Sequence, residues 1–340
     1  MSLFLDAASG KDTERAPIWL MRQAGRHLAE YRALKEKYTF WQLCRTPELA
    51  VEVTMQPIRR YGMDAAVMFS DIMTPLESMG VDIDFRPGPV IEDPIRSMAQ
   101  VEALRVPDVE EIAPYVWDLL GGLGEECPVP VVGFAGAPLT LATYLVQGSG
   151  SKDYALFRQF LRSQPEAAHA LLDKLTEVTI RYVNKQVDSG ASAIQLFDSW
   201  AGIHAQDMYE SFAAPSVKRV MASLAGRVPR IYLAVGSLHL YPSIAKLPME
   251  VFSADWRMPL SYVRQVMPGR GLQGNLDPSI ILAPAEVMEA EAIKVLRSGL
   301  GGAHIFNLGH GIMREASPDN VKRLVDLVQG FDRVKAAAEG

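Results

Sequence analysis

The sequence predicts an α/β protein that folds as a single-domain (β/α)8 TIM barrel over residues 1–340. Eight short apolar runs recur along the chain, and most are continuously apolar, as is typical of parallel strands covered on both faces. Amphipathic segments with helical spacing separate them. The chain is long enough for the roughly 250 residues of a typical barrel together with insertions. A doubly wound open sheet is the alternative, but the glycine fingerprint expected after its first strand is missing.

The predicted strands fix which loops share a face, because the loops that follow the strands of such a barrel form its functional end. The eight runs are "PIWLM" ending at Met21, "AAVMFS" ending at Ser70, "PVVGFAG" ending at Gly136, "AIQLFDS" ending at Ser199, "RIYLAVG" ending at Gly236, "VFSADW" ending at Trp256, "LQGNL" ending at Leu276 and "AHIFNLG" ending at Gly309. The region 80–108 is rich in proline and glycine, and we expect it to form a loop or hairpin insertion at the barrel mouth.

Two of the intervening helices have clear signals. In the segment 169–190 one apolar stripe is predicted from Leu171, Leu175, Val178 and Tyr182, with Gly190 ending the helix. The last helix is expected to begin with Ser317 as its cap and Pro318 at its first position. Its predicted core face is Val321, Leu324, Val325, Val328 and Phe331.

Composition narrows the classes of partner. The chain is 49% hydrophobic and 22% charged, which is enough to build a large core. Its formal net charge of -6 argues against nucleic acid as the main partner, because a polyanion would be repelled on average.

Cys44 and Cys127 lie in no CxxC motif and near no suitably spaced histidine, so neither a disulfide nor a metal site is expected. Without a signal peptide or an apolar run of about 18 residues, no membrane association and a cytoplasmic location are expected.

Polar side chains follow most of the predicted strands, where they would converge on one cleft. They are Arg22 and Arg26, Asp71, Tyr144, Asp198 and Ser199, Asp255, Asn275 and Asp277, and Asn307 and His310. In "MRQAGRH" the two arginines surround Gln23, Ala24 and Gly25. The planar fork of arginine binds carboxylate or phosphate in bidentate fashion, so this loop indicates a site for a small anion.

Each of these residues also has a purely structural interpretation. The arginines could form surface ion pairs, Asp71 could cap the next segment, and Tyr144 could be a core aromatic. His310, between two glycines, favours a ligand contact, whereas His169 and His304 are expected to be structural. Asp198 and Asp255 could act as paired carboxylates, although the sequence does not fix their separation. A Ser-His-Asp triad is disfavoured because "FDSWAG" lacks a nucleophile elbow.

Six stretches together resemble the uroporphyrinogen decarboxylase family, in that family's order and over nearly the whole chain. They are "MRQAGRH", "FSDIMTP", "GAPLTLATYLVQG", "LFDSWAG", "GNLDP" and "FNLGHGI". The resemblance implies a homodimeric barrel enzyme without cofactor or metal. It also implies conversion of uroporphyrinogen III to coproporphyrinogen III in heme biosynthesis, by loss of four acetate carboxyls as CO2.

The resemblance also implies the site residues. It places substrate contacts on Arg22, Gln23, Ala24, Gly25, Arg26, Asp71, Tyr144, Ser199 and His310. Asp71 would contact the pyrrole nitrogens and stabilise the transition state, and Arg22 is the second catalytic candidate. Arg22, Tyr144 and His310 are left open as candidates for delivering the proton. This sequence departs from the family pattern at three places. His27 and Ala29 stand where the family commonly has Tyr and Pro, and Met313-Arg314 replaces Leu-Pro. These positions flank the substrate contacts, so they bear on the details of the loops and not on the chemistry.

Two other functions stay open. A zinc-dependent methyltransferase of the same barrel class would need a thiolate-rich site, for which two cysteines are too few. A non-catalytic tetrapyrrole-binding protein would need the arginines but not Asp71.

Overall fold

The computed structural model describes residues 2–86 and 88–338, which form a parallel sheet surrounded by helices. The strands are β1 (Ala66–Val67), β2 (Ile83–Phe85), β3 (Pro89–Ile91), β4 (Val131–Gly136), β5 (Ala193–Asp198), β6 (Arg230–Ala234), β7 (Val251–Ser253), β8 (Gly271–Leu276) and β9 (His304–Leu308). Seven of them pair in the order β1-β4-β5-β6-β7-β8-β9, and every pair is parallel. The strands β2 and β3 form a separate antiparallel pair within the proline-rich region 80–108.

Helices connect the strands and cover the outside of the sheet. The α-helices are α1 (Leu3–Ala8), α2 (Ala29–Lys35), α3 (Phe40–Arg45), α4 (Pro47–Tyr61), α5 (Met98–Ala103), α6 (Pro114–Glu126), α7 (Pro138–Gln147), α8 (Ala155–Ser163), α9 (Pro165–Asp188), α10 (Gln206–Met208), α11 (Ala214–Ser223), α12 (Tyr241–Ile244), α13 (Leu260–Val266), α14 (Ala285–Ser298), α15 (Pro318–Gly330) and α16 (Arg333–Ala338). Short 3-10 turns follow several strands, and a π-helical turn (Tyr209–Ala213) precedes α11. Among the described residues, no helix is both long and apolar enough to cross a bilayer.

The first predicted run, "PIWLM", departs from the expected regular strand. It lies alongside β9, where Ile18 forms one isolated parallel bridge with Phe306. On its other side, the backbone N–H of Ile18 donates to the Asp64 carboxylate at 2.8 Å instead of to a neighbouring strand. The N–H groups of Leu20 and Met21 are likewise bound by side-chain oxygens. Backbone hydrogen bonds join the run to Phe306 of β9, but side-chain acceptors take the N–H groups of Ile18, Leu20 and Met21. The described sheet therefore has seven regular strands instead of the eight predicted.

The sheet is strongly curled, as contacts between side chains of distant strands in its interior show. Gln273 on β8 donates to Gln195 on β5 at 2.8 Å and to Ser253 on β7 at 2.9 Å. The indole N–H of Trp19, in the first run, donates to Gln273 at 3.0 Å. All four residues are fully buried. Since β5 and β8 are not neighbours in the sheet, this contact requires the sheet to bend around a common interior.

The two helices with clear sequence signals form as predicted, with one difference. The stripe residues of α9 are buried, and Gly190 adopts a φ of 116° just beyond that helix. The hydroxyl of Ser317 accepts from the backbone N–H of Asp319 at the start of α15. The predicted core residues of α15 are buried except Phe331, which is half-buried because the helix ends one residue before it.

One lysine anchors the end of α5 to α9. The ammonium group of Lys174 donates to the carbonyl oxygens of Val101, Glu102 and Leu104 at 2.9, 2.9 and 2.6 Å. Val101 and Glu102 lie in the last turn of α5 and Leu104 directly follows it, so Lys174 supplies a donor to carbonyl oxygens at the end of the helix. The positive charge also lies at the negative end of the helix dipole.

Candidate active site

The loop after the first run is built around Gln23. The buried Gln23 amide accepts from the backbone N–H of Leu20 at 2.9 Å and donates to the carbonyl of Ala65 at 3.1 Å. This bridge ties the first run to the start of β1. Ala24 is also buried, and a side chain at Gly25 would approach the carbonyl oxygen of Arg22 to 3.2 Å. Gln23, Ala24 and Gly25 therefore set the shape of the loop and leave its arginine side chains as the exposed groups.

Arg22 is the conformational exception in this loop. Its φ of 62° is in the left-handed region, which non-glycine residues rarely adopt and which is often found at functional sites. The side chains of Arg22 and Arg26 are exposed, and within residues 2–86 and 88–338 neither forms an ion pair or donates a side-chain hydrogen bond. Two guanidinium groups are therefore available for an external anion.

Asp71 lies four residues beyond β1, at the C-terminal end of the sheet. Its Oδ1 accepts from the backbone N–H of Met73 at 2.9 Å, which fixes the carboxylate. In the described part of the chain, Oδ2 accepts no hydrogen bond. Burial raises the pKa of Asp71, while the Met73 N–H and the positive charge of Arg22 act to lower it. The site therefore presents one oriented carboxylate oxygen that faces an arginine.

Tyr144 and His310 belong to the same charged cluster. Burial raises the pKa of Tyr144, and the charges of Asp71 and Arg22 also act on its hydroxyl. Burial and, to a lesser extent, the charge of Arg22 lower the pKa of His310 to about 4. His310 is therefore a neutral imidazole at pH 7. The structure brings together four of the candidates, which come from four different loops: Arg22, Asp71, Tyr144 and His310.

Close backbone packing holds His310 in place. A Cβ atom at Gly311 would lie 2.5 Å from the Cδ atom of Arg22, and the N–H of Ile312 donates to the carbonyl of Met21 at 2.8 Å. On the other side, a Cβ atom at Gly309 would collide with the backbone nitrogen of Trp256. The two glycines of "LGHG" are thus needed because the loop is packed from both sides.

Arg26 and Ser199 are not joined to this cluster by a direct contact. Arg26 acts electrostatically on Tyr31 and Glu315, at the outer part of the loop. Ser199 follows β5 and is half-buried, and its hydroxyl forms no hydrogen bond among the described residues. Both side chains are free to contact a ligand large enough to extend beyond Asp71.

Asp198 and Asp255 do not form a carboxylate pair. The buried Asp198 accepts from the hydroxyls of Thr140 and Tyr232 at 2.6 and 2.7 Å, and burial raises its pKa to about 6. Asp255 is also buried but has different partners, the backbone N–H of Gly236 and the guanidinium of Arg257. Each carboxylate has its own structural partners, so the structure gives no support to a two-carboxylate hydrolase.

The remaining polar candidates have structural roles. Asn275 donates to two backbone carbonyls at 2.8 and 2.6 Å, and Asp277 caps the turn Pro278–Leu282. Asn307 accepts the N–H groups of Met21 and Leu308. His304 is buried against the Gly274 carbonyl, and His169 stacks on Phe212, so both expected structural histidines are found in structural settings.

Sequence reasoning missed Arg257, which follows β7 beside Asp255. The charge of Arg257 also lowers the pKa of His310, after burial and Arg22. The signal was present in the sequence, because Arg257 comes directly after the predicted strand "VFSADW". Asp255 was predicted as the candidate instead, although its carboxylate is buried and Arg257 is exposed.

Among the described residues, no three His, Cys, Asp or Glu side chains converge into a metal-ligand set. Cys44 is buried and its pKa is raised by burial, which disfavours the thiolate that zinc requires. Cys127 is half-buried, and burial raises its pKa as well.

These features define a class of protein, an α/β enzyme related to the TIM barrels, with interacting charged groups at the C-terminal ends of its strands. The family model described as "Uroporphyrinogen decarboxylase (URO-D)" matches residues 1–331. The chain belongs to the uroporphyrinogen decarboxylase family.

Individual relatives agree with this assignment. A Geobacter metallireducens protein named uroporphyrinogen decarboxylase is 46% identical over 330 residues, which cover 96% of this chain and 97% of that protein. A Geotalea uraniireducens protein of the same name is 45% identical over 329 residues, 96% of this chain and 97% of that one. Among solved structures, a methyltransferase from Methanosarcina mazei has a TM-score of 0.82 at 20% identity, over 96% of this chain and 97% of that one. At that identity the similarity concerns the fold alone.

Proposed function

We propose that this chain converts uroporphyrinogen III to coproporphyrinogen III in heme biosynthesis, releasing four CO2 without a cofactor or metal. The observation that carries the proposal is the Asp71 carboxylate. Among the described residues it has one oxygen without a hydrogen bond, and it belongs to the same charged cluster as Arg22, Tyr144 and His310.

The substrate matches this distribution of charge. Uroporphyrinogen carries eight carboxylates around a ring of four inward-pointing pyrrole N–H groups. The free Oδ2 of Asp71 is an acceptor for those N–H groups, and Arg22 and Arg26 are donors for peripheral carboxylates. An overall negative protein that binds a polyanion needs such unpaired cations locally.

The reaction uses the pyrrole itself as electron acceptor. Protonation of a ring carbon gives a cationic ring; the bond between the acetate methylene and its carboxylate then breaks, and its electron pair enters the ring. Protonation of the resulting methylene and loss of the ring proton leave a methyl group. Each acetate thus consumes one proton and releases one CO2. The ionised Asp71 stabilises the cationic ring as it forms, which is the preorganised electrostatic effect that commonly dominates catalysis.

The charge of Arg22 is needed for this role. Burial favours the neutral form of Asp71, and the neighbouring guanidinium opposes that effect. Arg22 therefore has two functions, keeping Asp71 ionised and binding a carboxylate. His310 is neutral at pH 7, so it serves as a hydrogen-bonding group instead of a cation.

The proposal includes the assembly and location of the protein. A closed, single-domain (β/α)8 barrel is supported by the first run, which bridges β9 through Ile18 and approaches β1 through the bond from the Asp64 N–H to the Ile18 carbonyl. The family resemblance supports a homodimer in the cytoplasm. Light scattering of the purified protein tests the dimer, and a single monomeric species contradicts it.

The Asp71→Asn variant tests the chemistry. We expect the variant to fold, because an amide oxygen can still accept from Met73, and we expect kcat for coproporphyrinogen formation to fall by about 100-fold or more. The measurement is chromatography of porphyrins after anaerobic incubation with uroporphyrinogen. Asp332→Asn is the control, since Asp332 caps an exposed turn through the N–H of Lys335 far along the chain.

A folded Asp71→Asn variant with wild-type turnover would overturn the assignment of Asp71. Tight tetrapyrrole binding by the wild type without any product would favour the non-catalytic alternative.

A further inference from the structure

Arg257 is an exposed arginine whose position is fixed before any ligand binds. Its guanidinium lies over the ring of Trp256, 4.3 Å from the centroid. Its Nη1 donates to Oδ2 of Asp255 at 2.8 Å, and its backbone N–H donates to Oδ1 at 3.0 Å. Even so, 49% of the Arg257 side chain is exposed, against 5% for Asp255. A buried carboxylate and an aromatic ring therefore hold an accessible cation.

Part of the guanidinium remains available. Nη1 is used by Asp255, whereas Nε and Nη2 form no hydrogen bond within the described part of the chain. Asp255 is itself held by the backbone N–H of Gly236, so it cannot follow a moving arginine. The free edge of Arg257 thus has a fixed direction and loses little side-chain entropy when it binds an anion.

The arginine lies next to the proposed active site. The loop 309–311 packs against the backbone of Trp256 at Gly309 and against the Arg22 side chain at Gly311. His310 is between these two contacts. Arg22 therefore contacts this short loop directly, and Arg257 directly follows the Trp256 backbone that packs against it.

The electrostatics agree with this placement. Burial is the largest cause of the low pKa of His310. The charges of Arg22 and Arg257 also lower this pKa, and the charge of Asp255 raises it. Both cations therefore act on the same neutral imidazole.

We propose that Arg257 binds a peripheral carboxylate of the tetrapyrrole next to His310, in addition to the carboxylate bound by Arg22. This inference rests on the proposed function and adds a specificity-determining residue to it. A macrocycle with carboxylates around its whole rim can reach both arginines at once, whereas a ligand with a single carboxylate can use only one of them.

The Arg257→Gln variant tests the proposal. We expect the KM for uroporphyrinogen to rise about tenfold with a kcat change below threefold, because a charge-assisted contact to substrate is lost while Asp71 is untouched. The affinity for uroporphyrin, the oxidised octacarboxylate, should fall by a similar factor in a fluorescence titration. Arg257→Lys should recover part of the affinity, since it keeps the charge but not the fork.

Arg219→Gln is the matched control. Arg219 is 48% exposed and pairs with the exposed Asp173 on the helical surface, so its loss should leave KM within twofold of wild type. Because Arg257→Gln leaves Asp255 buried without its cation, the double variant Asp255→Asn/Arg257→Gln is measured as well. It removes both charges and should show the same tenfold rise in KM.

The outcomes separate the two proposals. A KM and a uroporphyrin affinity within twofold of wild type in both the single and the double variant overturn the role of Arg257, as does a fall in kcat at constant KM. Weaker uroporphyrin binding by Arg257→Gln supports the carboxylate contact, even if the wild type forms no product. Absence of product from the wild type would overturn only the proposed reaction.

Discussion

Asp198 offers a direct test of the electrostatics beneath the cleft. The carboxylate is fully buried at the end of β5 and accepts two hydroxyl hydrogen bonds, from Thr140 and Tyr232. The hydroxyl of Tyr232 is in turn within 2.9 Å of the Tyr209 hydroxyl. Burial raises the pKa of Asp198 from 3.8 to about 6, although both hydroxyls act to lower it. The buried network thus contains an acid that titrates close to neutral pH.

The magnitude follows from linkage between protonation and folding. The folded state holds the proton more tightly than the unfolded state, so the stabilisation is complete below pH 3.8 and is lost as pH rises through 6. A shift of about 2 pKa units corresponds to about 3 kcal/mol. Roughly half of it, about 1–2 kcal/mol, is lost between pH 5 and pH 8.

The perturbation is Asp198→Asn, which resembles the protonated acid and does not titrate. We expect the free energy of unfolding of the wild type, relative to this variant, to decrease by about 1–2 kcal/mol from pH 5 to pH 8 in urea titrations. Thr140→Val removes a hydrogen bond that favours the ionised form, so it should move the pH dependence to higher pH. Identical pH dependence in the wild type and Asp198→Asn would refute the reasoning.

Two further predictions concern packing. Lys174→Met should lower the free energy of unfolding by about 2 kcal/mol in urea titration, because three carbonyl oxygens at the end of α5 lose a charged donor. Gly311→Ala should raise the KM for uroporphyrinogen several-fold in the porphyrin assay, because the added Cβ, 2.5 Å from the Cδ of Arg22, displaces that side chain.

Each of these two packing predictions has a matched control variant. Lys294 is exposed and, within the described part of the chain, pairs with Glu291 one turn away, so Lys294→Met should change the free energy of unfolding by less than about 0.5 kcal/mol. A Cβ at Gly330 would meet open space at the end of α15, so Gly330→Ala should leave KM unchanged. Equal effects of the two lysine variants, or of the two glycine variants, would contradict the structural explanation.

Local sequence signals predicted most of the architecture. Continuous apolar runs located seven parallel strands, because strands covered by helices are buried on both faces. The stripe of α9 and the cap at Ser317 were readable because helical spacing and capping depend on residues only a few positions apart. The first run was wrong as a regular strand, since its N–H groups bind Asp64, Gln23 and Asn307, two of which are distant in sequence.

The candidate residues and their convergence at one end of the barrel were predicted, but which of them act on one another was not. Arg22, Asp71, Tyr144 and His310 were each identified from motifs, and the structure shows that they interact. No sequence signal distinguishes Asp198 from Asp255, because the two differ only in their hydrogen-bond partners in space. Arg257 was overlooked for a similar reason. The sequence does not show that the Arg257 side chain is exposed while that of Asp255 is buried.

By itself the sequence determined the fold class, the family and the residue types of the cleft, because apolar periodicity and motif order are encoded along the chain. Only the tertiary structure decided which charges act on one another. The pKa of Asp71, the neutrality of His310 and the fixed direction of Arg257 arise from burial and from groups on separate loops. Electrostatic interactions depend on distance and desolvation in space, and neither is encoded by separation along the chain.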